Sequence, residues 1–358
     1  MRIVAVDVIP YALPFRDPYV TARGTLTKRE MVLVRLRTDE GIEGLGEAVP
    51  LVLRGGAALP DIEASLRTAA ADRVGRELGD AAVPGGWQAP DGLPSPARAA
   101  LDVSFQDLAA KAAGLPLWRF LGAERAAPVR CNATLAAGEP RAVAAQASAW
   151  RERGFTSFKL KVGMAGDVAR VGAVRAELGA EARIRVDANG AWSVEAASAR
   201  LAAMERLGIE LCEQPAPALE DLAAVRAQTA VPIAADESVA TVADAQRAVD
   251  LGACQLATVK LSKVGGIEPA REVAATLPTY LSSALDGPVG IAAAAHLAQA
   301  LPPKGPAARL AHGLATEPLF ADSIAAAGPE LRGDLLSVPE GLGLGVAIDE
   351  RALDRCRL

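Results

Sequence analysis

The sequence predicts an α/β fold in which a small α+β domain precedes a (β/α) barrel. Three observations predict it. The first stretch reads as strands followed by helices, the region after residue 129 alternates short apolar strands with Ala-rich helices, and charged side chains recur at the ends of successive strands.

Residues 3–10 form a strand candidate, followed by a second at 31–37, a turn at Asp39-Glu40-Gly41 and a returning strand through Ile42–Glu47, an antiparallel set. Between the first two, residues 15–29 show neither helical nor strand periodicity and read as a polar loop. It carries Arg16, Tyr19, Arg23 and Thr25 and is either an inert connection or a lid. Glu47 reads as a turn residue with a local hydrogen bond.

A helix is expected over 61–78, then a Gly/Pro-rich loop over 84–94. Ser95-Pro96 should open a second helix with Ser95 as its N-cap, and Leu101, Phe105, Leu108 and Ala112 give it one apolar face before Gly114 stops it.

Eight strand candidates follow, at 130–135, 157–162, 183–188, 209–214, 233–238, 256–261, 279–284 and 308–313, within about 190 residues, the size of a compact barrel. The rival is an open doubly wound sheet, which the absence of a G-x-G-x-x-G after a strand disfavours. The remainder, with glycines at 341, 343 and 345, is expected to wrap back over the first domain. The chain divides accordingly into 1–125, 126–320 and 321–358.

With 358 residues, 51% of them hydrophobic, the chain can bury a large core. A net charge of -5 from 38 basic and 43 acidic residues, without like-charge runs, gives no footprint for nucleic acid or anionic membrane and points to small-molecule partners. The four cysteines lie far apart and form no CxxC pair, so neither a thiolate zinc site nor a disulfide framework is indicated. The N-terminus has no signal-like apolar stretch and no later run reaches membrane length, so a cytoplasmic protein is expected.

In a barrel, reactive side chains project from the C-terminal ends of the strands. Lys159 and Lys161, Asp187, Glu213, Asp236 and Lys260 occupy five successive strands, with intervals of 26, 26, 23 and 24 residues from Lys161 to Lys260. Each interval is about one βα unit, so two cationic arms flank three carboxylates. Carboxylates converging in a low-dielectric mouth repel one another unless a cation joins them, and an oxygen-only donor set suits Mg²⁺, with Mn²⁺ as the alternative. A neighbouring dication and burial both favour the neutral amine of a lysine, which can then act as a base, while the metal stabilises the enolate. Lys159 and Lys161 point the same way, since strand side chains alternate, and Lys260 faces them.

Each residue also has a plainer reading. A single acid at a strand end is commonly a helix N-cap, and a Lys-x-Lys pair can be a solvated edge; three acids in consecutive units flanked by lysines inside apolar runs depart from both. His296 reads as packing or surface, and His312, ending the eighth strand, as a substrate contact. Two rivals from other classes are a Schiff-base aldolase using Lys161 or Lys260 and a non-catalytic barrel.

These residues resemble the enolase superfamily, in particular its muconate lactonizing enzyme subgroup, over nearly the whole chain. The resemblance rests on Gly44-Leu45-Gly46-Glu47, the helix at 99–113 with Gly114-Leu115-Pro116-Leu117-Trp118, Lys159-x-Lys161, Asp187-x-Asn189-Gly190, Glu213-Gln214-Pro215, Asp236-Glu237-Ser238, Lys260 with Gly265-Gly266, and the 341–345 tail. It implies a (β/α)₇β TIM-like barrel with an N-terminal α+β capping domain, Mg²⁺ on Asp187, Glu213 and Asp236, acid/base chemistry by Lys161 and Lys260, and Lys159 tuning Lys161 and supporting the enolate. The mandelate racemase branch carries a His on the seventh strand, where this chain has Tyr280-Leu281-Ser282-Ser283-Ala284-Leu285-Asp286.

That segment, with Asn132–Leu135 and His312–Thr316, looks most like o-succinylbenzoate synthases of menaquinone biosynthesis. The likeness implies a syn dehydration of a small carboxylate substrate, with Asn189, Ser282, Ser283, Arg23 and His312 as substrate contacts; a homo-oligomer is compatible with it. Racemases of N-succinylamino acids and dipeptide epimerases come second and cycloisomerases third. Dipeptide epimerases typically carry an Asp-x-Asp near the eighth strand, whereas the acids here are Glu317 and Asp322. Lys263 is a further lysine beside Lys260.

Overall fold

The computed structural model describes the whole chain except residues 22–23, 53–54, 80–88, 91 and 303. Strands β1 (Ile3–Thr21), β2 (Gly24–Thr38) and β3 (Glu43–Ala48) form an antiparallel sheet in that order, followed by helices α1 (Leu59–Ala71), α2 (Ser95–Ala112) and α3 (Leu117–Phe120). The run from Met31 to Val34 is continuously apolar because both faces of this sheet are covered. Val32, Val34 and Leu36 pack with Ile62, Leu66, Leu101 and Phe105, while Met31 and Leu33 join the core shared with the barrel.

The first domain departs from the sequence reading in three places. Residues 15–21 and 24–29 are not a loop: β1 and β2 stay paired through Tyr19↔Leu26 and Thr21↔Gly24. A register shift between Pro14 and Tyr19 breaks the strict alternation of side chains that marks a strand in sequence. Arg23 lies outside the described residues. Helix α1 ends at Ala71, well before residue 78, because the chain beyond it returns to the start of β1, where Ile3 N donates to Arg76 O (2.9 Å) and Leu78 N to Met1 O (2.9 Å). Of the expected 84–94 loop, residues 84–88 and 91 lie outside the described residues. Ser95 is the first helical residue of α2, flanked by Pro94, and makes no side-chain cap.

Nor does α2 have a single apolar face. Almost every residue from Pro96 to Ala110 is buried, whereas Ala112 is exposed. The helix lies against β3 so closely that a Cβ on Gly46 would stand 1.8 Å from Ala100 O, and one on Gly44 2.3 Å from Ser104 O. Its two buried acids are the anchors. Asp107 accepts from Leu45 N, Leu344 N and Lys111 Nζ, each at 2.7 Å. Asp102 accepts from Ile267 N (2.5 Å) at the start of a barrel helix.

After β4 (Val129–Arg130), the barrel runs β5 (Ala133–Leu135), α4 (Pro140–Glu152), β6 (Ser157–Lys161), α5 (Asp167–Leu178), β7 (Arg183–Asp187), α6 (Val194–Glu205), β8 (Ile209–Glu213), α7 (Leu219–Arg226), β9 (Ile233–Ala235), α8 (Val242–Asp250), β10 (Leu256–Val259), α9 (Leu261–Val264), α10 (Ile267–Thr276), β11 (Thr279–Leu281) and α11 (Pro288–Ala300). Strands β5 to β11 form one parallel sheet in chain order.

The expected eighth strand at 308–313 is replaced by a 3₁₀ turn, Gly305–Arg309, and two bridging residues. His312 N donates to Arg130 O (2.7 Å) and Asn132 N to His312 O (2.9 Å); Gly313 N donates to Leu281 O (2.8 Å) and Ser283 N to Gly313 O (2.8 Å). These bonds close the ring, giving the (β/α)₇β arrangement.

The last stretch contains β12 (Ala325–Ala327), β13 (Leu331–Arg332), β14 (Leu335–Leu336), β15 (Ala347–Ile348) and α12 (Glu350–Cys356), a helix the sequence reading did not foresee, with Asp349 as its N-cap. It returns to β1, where Leu358 N donates to Pro10 O (3.1 Å). Among the described residues no helix is long and apolar enough to cross a membrane.

The glycine at 46 should be irreplaceable. Gly46→Ala drives a methyl into the α2 backbone, and overpacking of this kind costs about 1–3 kcal/mol or more, read as a lower urea midpoint.

Asp102 carries a pH signature. Burial, with Glu268 adding to it, pushes its carboxyl up to about 7 from an ordinary 3.8, so the folded chain holds a proton there that the unfolded chain releases. Its contribution to unfolding free energy therefore rises as pH falls through 7 and levels off near 4. Urea midpoints from pH 8 to 5 should show the wild type gaining on Asp102→Asn as the pH drops.

Candidate active site

Strand alternation carries Lys159 and Lys161 to the barrel interior on β6, and the register Lys161↔Asp187 and Asp187↔Glu213 sets the next two charged groups side by side at the same level. Asp236 follows β9 and Lys260 follows β10. All five strand ends named in the sequence reading thus meet at one mouth, and every one of these side chains is buried.

The groups are linked directly. Lys159 Nζ lies 2.7 Å from Glu213 and 2.9 Å from Asp187 Oδ2, and Lys161 Nζ lies 2.6 Å from Asp187 Oδ2 and 2.8 Å from Asn189 Oδ1. Lys260 Nζ bonds Asp236 Oδ2 and stands 3.9 Å from Glu213. Lys263, from α9, reaches Asp236 Oδ1 (3.0 Å), the Asp236 carbonyl and Thr258 O (2.8 Å). Tyr280 OH donates to Glu213 Oε2 (2.7 Å) and accepts from Thr258 Oγ1 (2.7 Å).

Burial alone would raise the Asp187 carboxyl, but Lys159, Lys161 and Lys260 outweigh it and hold its pKa below the ordinary carboxylate value. For Glu213, burial and the neighbouring Asp187 prevail and raise it. Burial would depress the Lys159 ammonium, yet Asp187 and Glu213 hold it well above the usual lysine value. Tyr280 is raised by burial and by Glu213 and stays a phenol donor.

The expected convergence of three carboxylates needs a correction. Among the described residues no three such groups surround one point, because the ammoniums of Lys159 and Lys260 stand between them. The donor chemistry still fits a hard divalent cation. The oxygens are buried, come from adjacent strands and are neutralised by lysine ends on flexible stems, which a cation would displace. The backbone here is also constrained: Asn189 (φ 48°) and Gln214 (φ 40°) adopt the left-handed region, a cost that persists only where surroundings over-determine it. Gln214 Oε1 accepts from Asp236 N (2.7 Å) and Ser238 Oγ (3.0 Å), tying the β8 end to the β9 end.

Above the charges opens a cleft between the barrel mouth and the first domain. Asn189, Ser282 and Ser283 line it, as do Lys159, Lys161 and Lys260. His312 does not. Its Nδ1 accepts from Leu281 N (3.0 Å) in the barrel wall, its ring borders a separate cleft with Arg130 and Arg183, and burial lowers its pKa to about 4. A ring spent on a main-chain amide is a structural histidine.

Residues absent from the sequence reading of the site are Thr134 and Thr316 on the wall, Tyr280 beneath it, and Leu26, Arg29, Pro50 and Leu51 from the first domain. Tyr280 was findable, lying two residues before Ser282 on an inward-facing register. The first-domain contacts were not, since their approach depends on how the two domains meet.

Two family models match the chain: mandelate racemase / muconate lactonizing enzyme, N-terminal domain, over residues 3–122, and enolase C-terminal domain-like, over residues 142–352. The L-Ala-D/L-Glu epimerase of Bacillus subtilis is 33% identical over 313 residues, 83% of this chain and 85% of that one. The o-succinylbenzoate synthase of Thermobifida fusca is 40% identical over 187 residues, 49% of this chain and 58% of the other. The dipeptide epimerase of Enterococcus faecalis, crystallised with Mg and the dipeptide L-Leu-L-Tyr, superposes with a TM-score of 0.90 at 29% identity, covering 97% of this chain and 100% of that one.

The charge lattice predicts its own failure. Asp236→Leu strands the buried ammoniums of Lys260 and Lys263 and should cost about 3–5 kcal/mol in urea denaturation without added metal. Adding Lys263→Met to that variant should recover part of the loss.

Proposed function

The chain belongs to the enolase superfamily, in its muconate lactonizing enzyme subgroup, and from that premise we propose that it removes the proton next to a substrate carboxylate in the syn dehydration that yields o-succinylbenzoate. The cleft lining carries this reading. Its charged residues are Lys159, Lys161, Lys260 and Arg29, the rest are hydroxyls, an amide and apolar groups, and among the described residues no carboxylate faces it. A ring bearing carboxylates meets complementary charge there, whereas the free ammonium of a dipeptide meets none.

Asp187, Glu213 and Asp236 would hold Mg²⁺ or Mn²⁺, whose charge supplies stabilisation for the oxyanion developing on the substrate carboxylate. Lys161, as the free amine, takes the α-proton; the C–O bond to the neighbouring hydroxyl breaks, and the same nitrogen returns the proton to the departing hydroxide as water. Lys260 faces Lys161 across the mouth and holds positive charge beside the oxyanion. Lys159, which bonds Asp187 and Glu213 and would be released by a bound cation, adds a second positive charge at the mouth. The cap contacts Leu26, Pro50 and Leu51 give the cleft apolar walls that exclude water.

A second reading is racemization of an N-succinylamino acid. Lysines on both sides of the mouth could exchange a proton on either face of the α-carbon, and several relatives matching more than four-fifths of the chain are named as epimerases or racemases, beside a muconate cycloisomerase that matches 99% of it.

The deciding assay mixes the protein with Mg²⁺ and the cyclohexadiene precursor of o-succinylbenzoate. EDTA-sensitive loss of the precursor is expected. No turnover, together with α-proton exchange into D₂O on N-succinylamino acids, would move the reading to racemization. Lys161→Ala and Lys260→Ala should each lose at least about 100-fold in kcat while calorimetry still detects Mg²⁺ binding. Near-normal turnover in either would remove that lysine from the chemistry.

A further inference from the structure

Glu47 is not the turn residue its sequence setting suggests. It lies on β3 opposite Leu33, is only 4% exposed, and both its oxygens are engaged over long range. Oε2 accepts from Tyr11 OH (2.8 Å) on β1, and Oε1 from Gly287 N (2.6 Å), the residue before α11 in the barrel. Pro288 offers no N–H at the first position of that helix, and the carboxylate occupies the positive end of its dipole. The approach is close on both sides: a Cβ on Gly287 would stand 2.7 Å from Glu47 Oε2, and one on Gly290 3.0 Å from Oε1.

We propose that Glu47 is a positioning residue through which the first domain sets the 282–287 segment, and with it Ser282 and Ser283, at the cleft wall. The segment needs such a hold. Leu285 sits at φ 67°, an unfavourable conformation for a branched side chain. Asp286 secures the turn from within by accepting from Ser283 Oγ (2.8 Å), Ala284 N (2.6 Å) and Ser262 Oγ (3.2 Å). Thr316 Oγ1 donates to Ser283 Oγ (3.0 Å). Arg29 Nη2 adds a second tie from the first domain, bonding Ala284 O (2.8 Å) and Pro50 O (2.7 Å). Glu47 fixes the far end of the turn; without it, Gly287 N loses its partner and the turn is held at one end only. The groups able to titrate around Glu47 are Tyr11 and Asp286, and burial followed by Asp286 pushes Glu47 up to about 7.

The kinetic half of the test rests on the synthase reading; the exchange half does not. Hydrogen–deuterium exchange of the free protein should be at least about tenfold faster at residues 283–289 in Glu47→Ala than in the wild type, and close to wild type in Glu47→Gln, whose amide oxygen still accepts from Gly287 N. With the cyclohexadiene precursor, Glu47→Ala should raise KM about tenfold or more while kcat stays within about threefold, and Glu47→Gln should restore KM. Unchanged exchange in a folded Glu47→Ala, or a Glu47→Gln that behaves like alanine, overturns the proposal. If Glu47→Ala does not fold, Tyr11→Phe removes one anchor of the carboxylate and carries the same measurement: faster exchange at 283–289 supports the proposal and unchanged exchange overturns it. A wild type inert toward the precursor would defeat the synthase reading and leave the exchange result to decide the role of Glu47.

Discussion

The structure depends on one electrostatic constraint: four ammoniums and three carboxylates are buried together at the end of a closed barrel, and none can remain there alone. An isolated ion in such a place would neutralise or unfold its surroundings, so the groups exist only as a set. Their placement is a matter of strand register. Asp187 and Glu213 stand side by side because β7 and β8 pair in register, and Lys159 can bridge both because it lies one inward position below Lys161. The barrel is thus the frame that makes an otherwise prohibitive cluster of charge affordable, and the cluster in turn is what the cleft offers a ligand.

The first domain is joined to that frame by hydrogen-bonded acid side chains as well as by apolar packing. Asp102 and Glu47 each place a carboxyl group at the start of a barrel helix, α10 and α11, while Asp107 ties β3 to the returning tail. Glycines at 46, 266 and 287 allow the approach, since side chains there would collide with Ala100, Asp102 and Glu47 respectively. The cap therefore has one seating on the barrel, and its apolar contribution to the cleft, Leu26, Pro50 and Leu51, arrives with it.

The charged strand ends were legible because barrel geometry converts a repeat of roughly one βα unit into adjacency, and alternation tells which lysines point inward. What the sequence hid has physical reasons. The pairing of β1 with β2 beyond Pro14 was masked by a register shift. The eighth strand, read at 308–313, is cut to two bridging residues because a 3₁₀ turn takes up Gly305–Arg309. The apolar face of α2 had no contrast because β3, α1 and the barrel surround the helix. Glu47, His312 and the threonines of the cleft depend on contacts between segments far apart in the chain, and no local pattern reports those. The two matched family models fix the family.

The ring is closed at its eighth position by single bridges at His312 and Gly313, and that seam borders the cleft through Gly313 and Thr316. The thinnest stitch in the barrel wall is therefore the one a bound molecule touches. A ligand resting between Ser282 and Thr316 would act as a clasp across it, so that filling the cleft would also brace the cylinder at this seam.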